Sequence, residues 1–452
     1  MGFSLSLEEI IKAVNPKSIL NLNNFSLKIK GVCLDSRRIK KGEAFLALKG
    51  KNYDAHNFLS SAYHKGAVLL IVERIPSNFK NKSVPILVVE DTEKALGFLG
   101  KALREKLSPV VVAVTGSLGK TTTKEMLAFI LEKDFSIVKN RASENNQIGV
   151  PKTLLSLKKN TQICILEFGT NHFGEIAYLT SLAKPEAGVI TCIDNVHLEF
   201  FKDKRGVLKE KSSLFRVEPF SLPILNGDDP YLQRLSTQRK PLYFGRSKKF
   251  AVYFSFLKRE KNYLLFKINS KYKLKLNSLG VFNIYNACGG LAGGLWGGVS
   301  LREGVERLSC FKFPPLRLEV KNIKGIKFIN DAYNSNPTAL KRALESFSSL
   351  KAERKIGIIA DMLELGEKSL YFHRKIAKDI YKTGFEKVIF LGKFVKFTAK
   401  ALKELGFDKK DIFIAEDLDS AKQLLFKIAK KGDVVFLKGS RKFSLEKILT
   451  YN

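Results

Sequence analysis

The chain has 452 residues, of which 45% are hydrophobic and 27% charged, a mixture that excludes a disordered chain and exceeds what one core ordinarily holds. At about 150 residues per domain, roughly three domains are expected. The formal net charge of +34 and pI of about 9.8 raise nucleic-acid binding, but Lys and Arg are spread along the whole chain without one dense basic arm. No nucleic-acid partner is therefore expected, and an anionic substrate accounts for the charge as well.

The opening residues, MGFSLSLEEIIKAVN, carry Glu8 and Glu9 inside their first apolar stretch, so they read as an amphipathic helix and not as a secretory signal. A cytoplasmic enzyme is expected. Up to about Val88 the strand-like runs GVCLDS, GEAFLAL, AVLLIVE and PILVVE surround a helical segment from His56 to Lys65, which predicts a small α/β domain over 1–88. A helix from Thr92 to Lys106 leads through Ser108 and Pro109 into VVVAVTG, a continuous apolar run that suits a strand buried on both faces of a parallel sheet. ICILEFG and GVITCID continue this pattern between helices and predict right-handed βαβ units.

From Pro241 to Leu279 the period becomes two, in AVYFSFLK and YLLFKIN, which predicts antiparallel hairpins at the edge of a central domain spanning 89–311. The most apolar later stretch, Val281 to Ser300, is interrupted by Asn283, Asn286 and several glycines, so no membrane span is expected. Past Phe313, Pro314 and Pro315, the runs KFIND, KIGIIAD, KVIFLG, DIFIAED and DVVFLKG alternate with helical sequence and predict a third, Rossmann-like domain over 312–452. It lacks G-x-G-x-x-G, which argues against a dinucleotide. The expected fold class is thus α/β in three domains: a small N-terminal domain, a central mononucleotide-binding parallel sheet with an antiparallel edge, and a Rossmann-like C-terminal domain. The five cysteines are scattered, with no C-x-x-C pair and no histidines at zinc spacing, and read as reduced apolar residues.

The strongest chemical signal is T-G-S-L-G-K-T-T, formed by Thr115, Gly116, Ser117, Leu118, Gly119, Lys120, Thr121 and Thr122, between a predicted strand and a predicted helix. Glycines there let backbone N–H groups approach phosphate oxygens, and the helix N-terminus adds partial positive charge. Lys120 would neutralise the β/γ-phosphates of ATP and Thr121 would hold Mg²⁺. A bare strand-to-helix turn would not require Lys and Thr directly after the glycine. Glu167 ends ICILE and His197 follows GVITCID, so both fall at strand C-termini, where α/β sheets bind ligands, and both suit magnesium. Read alone, each would be an ordinary solvated or hydrogen-bonded residue.

Several segments, in order, resemble the Mur ligases. They are DSRRIKKGEAFLALKG from Asp35, TGSLGKTTTKEM from Thr115, NNQIGVPKTLL from Asn145, EFGTNHFGEIAYLT from Glu167, VHLEFF from Val196 and NIYNA from Asn283. RLEV at Arg317, INDAYNSNP from Ile329, ADMLELGE from Ala360 and LKGSR from Leu437 continue the likeness. DAYNSNP and DMLELGE are similar to the members that join D-alanyl-D-alanine to UDP-MurNAc-tripeptide.

The resemblance implies that Lys120 and Thr121 bind phosphate and Mg²⁺, that Glu167 and His197 help hold the metal, and that Asn283 and Asn286 meet the adenine side of ATP. It implies that Arg317 and Asp331 complete the nucleotide site from the third domain, and that Asn145, Asn146, Tyr333, Asn334 and Asn336 lie beside the substrates. Lys211, in K-S-S-L-F, matches the lysine that the family carbamylates with CO₂. An ammonium repels Mg²⁺, whereas its carbamate is an anion that can coordinate it. Ser213 stands where relatives often carry Glu, as does Gln147, and Leu118 replaces a small loop residue. The N-terminal block matches the part of the family that holds the UDP-sugar, with Ser36, Arg37 and Lys49 as candidates, against an ordinary charged hairpin. A monomer is expected. Another ligase of the superfamily, such as a folylpolyglutamate synthase or an earlier Mur ligase, and a basic phosphate-loop NTPase acting on nucleic acid are the competing readings.

Overall fold

The computed structural model describes residues 5–22, 26–50, 53–80, 83–141, 143–260 and 263–450, and in them the chain builds three sheets in sequence. The first contains β1 (Ser18–Leu20), β2 (Val32–Cys33), β3 (Ala44–Leu46), β4 (Leu69–Val72) and β5 (Ile86–Val88), in the order β1-β5-β4-β3-β2. All neighbours are parallel except the edge pair β1 and β5. Leu5, Leu7, Ile10 and Val14 place the N-terminal helix Leu7–Val14 on this sheet, beside Ala95, Leu96, Leu99 and Leu103 of the long helix Thr92–Leu107. That helix also touches the helices Gly149–Leu154 and Glu175–Ala183 of the central region, and so ties the first two sheets together.

The central sheet comprises β6 (Val110–Thr115), β7 (Ile137–Lys139), β8 (Ile163–Glu167), β9 (Ala187–Ile190), β10 (Leu222–Asn226), β11 (Leu242–Gly245), β12 (Val252–Arg259), β13 (Leu264–Ile268) and β14 (Tyr272–Leu276). Its order is β14-β13-β12-β11-β10-β9-β6-β8-β7. The strands β6, β8, β9 and β10 are apolar and buried nearly throughout, because helices cover both faces of a parallel sheet. The antiparallel edge expected over 241–279 begins only at β12. The short helix Pro230–Gln233 carries the chain back in the same direction, so β11 pairs parallel to β10, and β12 starts parallel to β11 before β13 and β14 fold back on it.

The third sheet holds β15 (Glu319–Ile323), β16 (Ile326–Asn330), β17 (Lys355–Ala360), β18 (Lys387–Leu391), β19 (Ile412–Ala415) and β20 (Val434–Lys438), in the order β15-β16-β20-β17-β18-β19. It is parallel apart from the β15–β16 hairpin. Phe328, Phe347, Phe390 and Phe436 are fully buried around it, and each contributes about 1.5–3 kcal/mol of transfer free energy. Among the described residues no helix is long and apolar enough to cross a membrane.

Candidate active site

The strand β6 runs into a loop that turns twice through conformations favouring glycine, at Gly116 (φ +140) and at Gly119 (φ +82), and then enters the helix Lys120–Leu131. Gly119 is the N-cap and offers no side chain, so the first N–H groups of that helix are left for an outside acceptor. The loop is braced from behind. Thr115 Oγ1 donates to the Phe168 carbonyl at 3.0 Å, the Thr191 hydroxyl donates to the Leu118 carbonyl, and Ser117 Oγ accepts the Asp194 N–H at 2.7 Å. Thr115 and Ser117 therefore hold the loop's shape with their side chains, and the loop's ligand-facing groups are its backbone, Lys120 and Thr121.

Lys120 Nζ donates to the Gly116 carbonyl at 2.9 Å. Burial pushes its amine below the ordinary lysine value, and the Glu167 charge partly opposes that shift. Glu167, at the end of β8, is 2% exposed; its Oε1 accepts from Asn145 Nδ2 at 2.8 Å, while its Oε2 is buried with no hydrogen-bond partner. An orphaned buried carboxylate oxygen is costly unless a cation or donor joins it. Lys211 closes the helix Lys204–Lys211 and is buried; burial first, and the charge of Lys120 second, push its amine down to about 7. A large share is then neutral at physiological pH, the form that can react with CO₂.

The third domain completes the site. Arg317 donates to Thr121 Oγ1 at 2.9 Å, and its guanidinium lies 4.1 Å from the centre of the Tyr333 ring. Asp331, just past β16, is ion-paired with the buried Lys438 at the end of β20. Asn283 and Asn286 open the helix Asn283–Trp296 and bond to each other at 2.8 Å, with Thr123 reaching Asn286 from the phosphate-loop helix. Asn336 caps the helix Pro337–Ser348 through Ala339 N–H. His197 adopts φ +50, and its Nδ1 lies 2.7 Å from Glu364 Oε2 of the third domain, a contact that holds the Glu364 carboxyl below the usual range.

One cavity of about 950 Å³ brings together Ser117 to Thr122, Asn145, Asn146, Glu167, His197, Asn283, Asn286, Arg317, Asp331, Tyr333, Asn334 and Asn336. Thr115, Gly116 and Lys211 are not among its lining residues, although Lys211 is close enough to feel the charges of Lys120 and Glu167, and Ser36, Arg37 and Lys49 lie outside it on the N-terminal domain. There Ser36 is buried, Arg37 pairs with Asp35, and Lys49 bridges to Asp54 through the backbone. Sequence reasoning missed Asp194, Asp228, Arg246, Tyr285 and Arg342, which also line the cavity. Tyr285 donates to Asp228 at 2.9 Å, a pairing across 57 positions that no local pattern announces. Lys438 carried a signal, since it ends a buried strand at the ligand edge.

Among the described residues no group of three or more His, Cys, Asp or Glu side chains could hold a metal alone. Mg²⁺ takes one or two protein carboxylates and fills the rest of its shell with water and phosphate oxygens. The orphaned Glu167 Oε2 and the hydroxyl of Thr121 fit such a partial set.

Fold and site define a phosphate-loop α/β protein whose ligand cavity is shared between a central and a C-terminal domain. Residues 28–104 match the Mur ligase family catalytic domain, 114–293 the Mur ligase middle domain, and 316–441 the Mur ligase glutamate ligase domain. The UDP-N-acetylmuramoyl-tripeptide–D-alanyl-D-alanine ligase of Bacillus subtilis is 33% identical over 428 residues, which cover 93% of this chain and 92% of that one. A MurF crystal structure from Acinetobacter baumannii superposes with a TM-score of 0.88 at 28% identity, covering 98% of this chain and 97% of its own. The MurF ligase of Thermotoga maritima in complex with ADP gives 0.82 at 27% identity, with 94% and 96% covered. The chain belongs to the Mur ligase family, in its MurF branch.

Proposed function

We propose that this chain is an ATP-dependent ligase that adds D-alanyl-D-alanine to UDP-MurNAc-tripeptide, giving UDP-MurNAc-pentapeptide, ADP and phosphate for peptidoglycan synthesis in the cytoplasm. The observation that carries the reading is the convergence of the phosphate loop, the Glu167 carboxylate and Arg317 on one cavity. The Bacillus relative bears that activity in its name, and the Thermotoga structure holds ADP.

The terminal carboxylate of the tripeptide attacks the γ-phosphorus of ATP, and the bond to the β-phosphate oxygen breaks, giving an acyl phosphate and ADP. The free amine of D-alanyl-D-alanine then attacks the acyl carbon. Phosphate departs with the former carboxylate oxygen, and the amine loses a proton as the peptide bond forms. The loop amides and Lys120 hold the β- and γ-phosphates, and Arg317, stiffened by Tyr333, meets the charge that develops between them. Thr121, Glu167, His197 and a carbamate on Lys211 would hold magnesium, which would supply further charge neutralisation. Asn283 and Asn286 face the adenine side.

Asn145, Asn146, Tyr333, Asn334 and Asn336 border the reacting groups, while Ser36, Arg37 and Lys49 of residues 1–88 meet the distant UDP end. Residues 89–311 form the ATP-binding domain and 312–452 the closing ligase domain. The enzyme is taken to work as a monomer. Phosphate release with ATP and the UDP-tripeptide, measured against a panel of acceptors, tests the assignment. Stimulation by D-alanyl-D-alanine is expected; stimulation by glutamate or by nucleic acid instead would overturn it.

A further inference from the structure

The loop after β17 does more than end a strand. It crosses to the central domain and touches the short helix Leu198–Phe201 at both ends and the middle. At the N-terminal end, Glu364 Oε2 lies 2.7 Å from His197 Nδ1, a close polar contact off the line of a full hydrogen bond. In the middle, Gly366 comes so near that a Cβ there would sit 3.2 Å from Glu199 Cα and 3.3 Å from Glu199 Cβ. At the C-terminal end, Lys368 Nζ donates to the Lys202 carbonyl at 2.9 Å.

The backbone on both sides is shaped for this meeting. Glu364 (φ +62) and Gly366 (φ +53) on the loop face His197 (φ +50) and Lys202 (φ +65) on the helix ends, all in the left-handed region. Non-glycine residues keep such angles only where their surroundings enforce them, and three of them cluster at one contact between domains. Edge contact with Phe201 supports the His197 ring on the central-domain side, with centroids 6.2 Å apart and planes at 89°. Its Nε2 has no hydrogen-bond partner among the described residues and belongs to a side chain that lines the cavity.

We propose that the Glu364–Lys368 loop is a clasp that engages as the third domain closes, and that Glu364 is a positioning residue which sets the His197 ring through Nδ1, leaving Nε2 for the phosphate site. This deepens the ligase reading and rests on it. In that reading, His197 is fully oriented only when Arg317 has also arrived, since both Arg317 and Glu364 ride on the third domain. Closure and site assembly are thereby one event.

The full-length Glu199→Cys/Gly366→Cys double variant tests the clasp, because the two Cβ positions lie near disulfide spacing. Under mild oxidation with ADP and magnesium chloride it should cross-link rapidly, read as a mobility shift on non-reducing gels. Adding Glu364→Ala should slow cross-linking about tenfold, and in the otherwise native enzyme Glu364→Ala should lower kcat about tenfold, with Glu364→Gln keeping part of it. Cross-linking at the parental rate in the Glu364→Ala background, or a parental kcat, overturns the proposal. The gel readout needs no turnover, so loss of the clasp and loss of the ligase assignment are separate results.

Discussion

Arg317 and Thr121 meet at 2.9 Å although they belong to different domains, one guarding the entrance to the third sheet and the other opening the phosphate-loop helix. The guanidinium carbon lies over the Tyr333 ring at the same time, a planar partner that a lysine ammonium could not replace. Arg317→Lys should therefore lower kcat/KM for ATP by about 10² with an unchanged circular dichroism spectrum, a loss of one preorganised charge contact. Steady-state kinetics that show less than about a threefold fall would remove Arg317 from the reaction.

Lys120 presents the opposite balance between stability and function. Its amine is buried and pushed below its ordinary value, so the folded state binds this proton less tightly than the unfolded chain does. The resulting destabilisation is full below the lowered folded value, shrinks as pH rises from there towards the unfolded value, and is gone above the latter. Lys120→Met should thus abolish ATP turnover while melting no lower than the parent at neutral pH. Scanning calorimetry beside a phosphate-release assay checks both halves; retained turnover would take the phosphate loop out of the mechanism.

Lys211 should take up labelled carbon dioxide, detected by carbon NMR, and Lys211→Ala should not. Because its amine sits at about 7, uptake at a fixed dissolved CO₂ concentration should increase as pH rises from a unit below that value to a unit above it. Activity of Lys211→Ala should be nearly absent and partly restored by a small added carboxylate. Full activity without rescue would contradict a carbamate.

Gly119 carries two constraints at once. Its φ of +82 disfavours any L side chain, and a Cβ would run into the Asn286 amide. Gly119→Ala should raise the KM for ATP about tenfold or more, with strain of about 1–2 kcal/mol in the loop appearing as a lower Tm. An unchanged KM measured by initial rates would show that the loop tolerates what its geometry forbids.

Much of this architecture was legible because its signals are local. The phosphate loop is a strand, a glycine turn, Lys and Thr within eight positions, and β6 and β8 announce themselves as unbroken apolar runs. The edge strands β1 and β15 were not legible. Ser18–Leu20 is exposed along its length, and Glu319–Ile323 alternates with charge without an apolar face, so neither has a period to read. Arg317, Asp331 and Lys211 entered only through resemblance to a family, since nothing near them in sequence ties them to a phosphate. Asp228 with Tyr285, and Glu364 with His197, join segments far apart in the chain, and only the folded domains bring them together.

The most direct measurement follows one oxygen atom. UDP-MurNAc-tripeptide labelled with heavy oxygen in its terminal carboxylate is incubated with ATP, D-alanyl-D-alanine and enzyme, and the released phosphate is examined by mass spectrometry. Attack of that carboxylate on the γ-phosphorus places one heavy oxygen in every phosphate derived from a fully labelled carboxylate. Phosphate carrying no heavy oxygen, with pentapeptide still accumulating, would contradict an acyl phosphate and the account built on it.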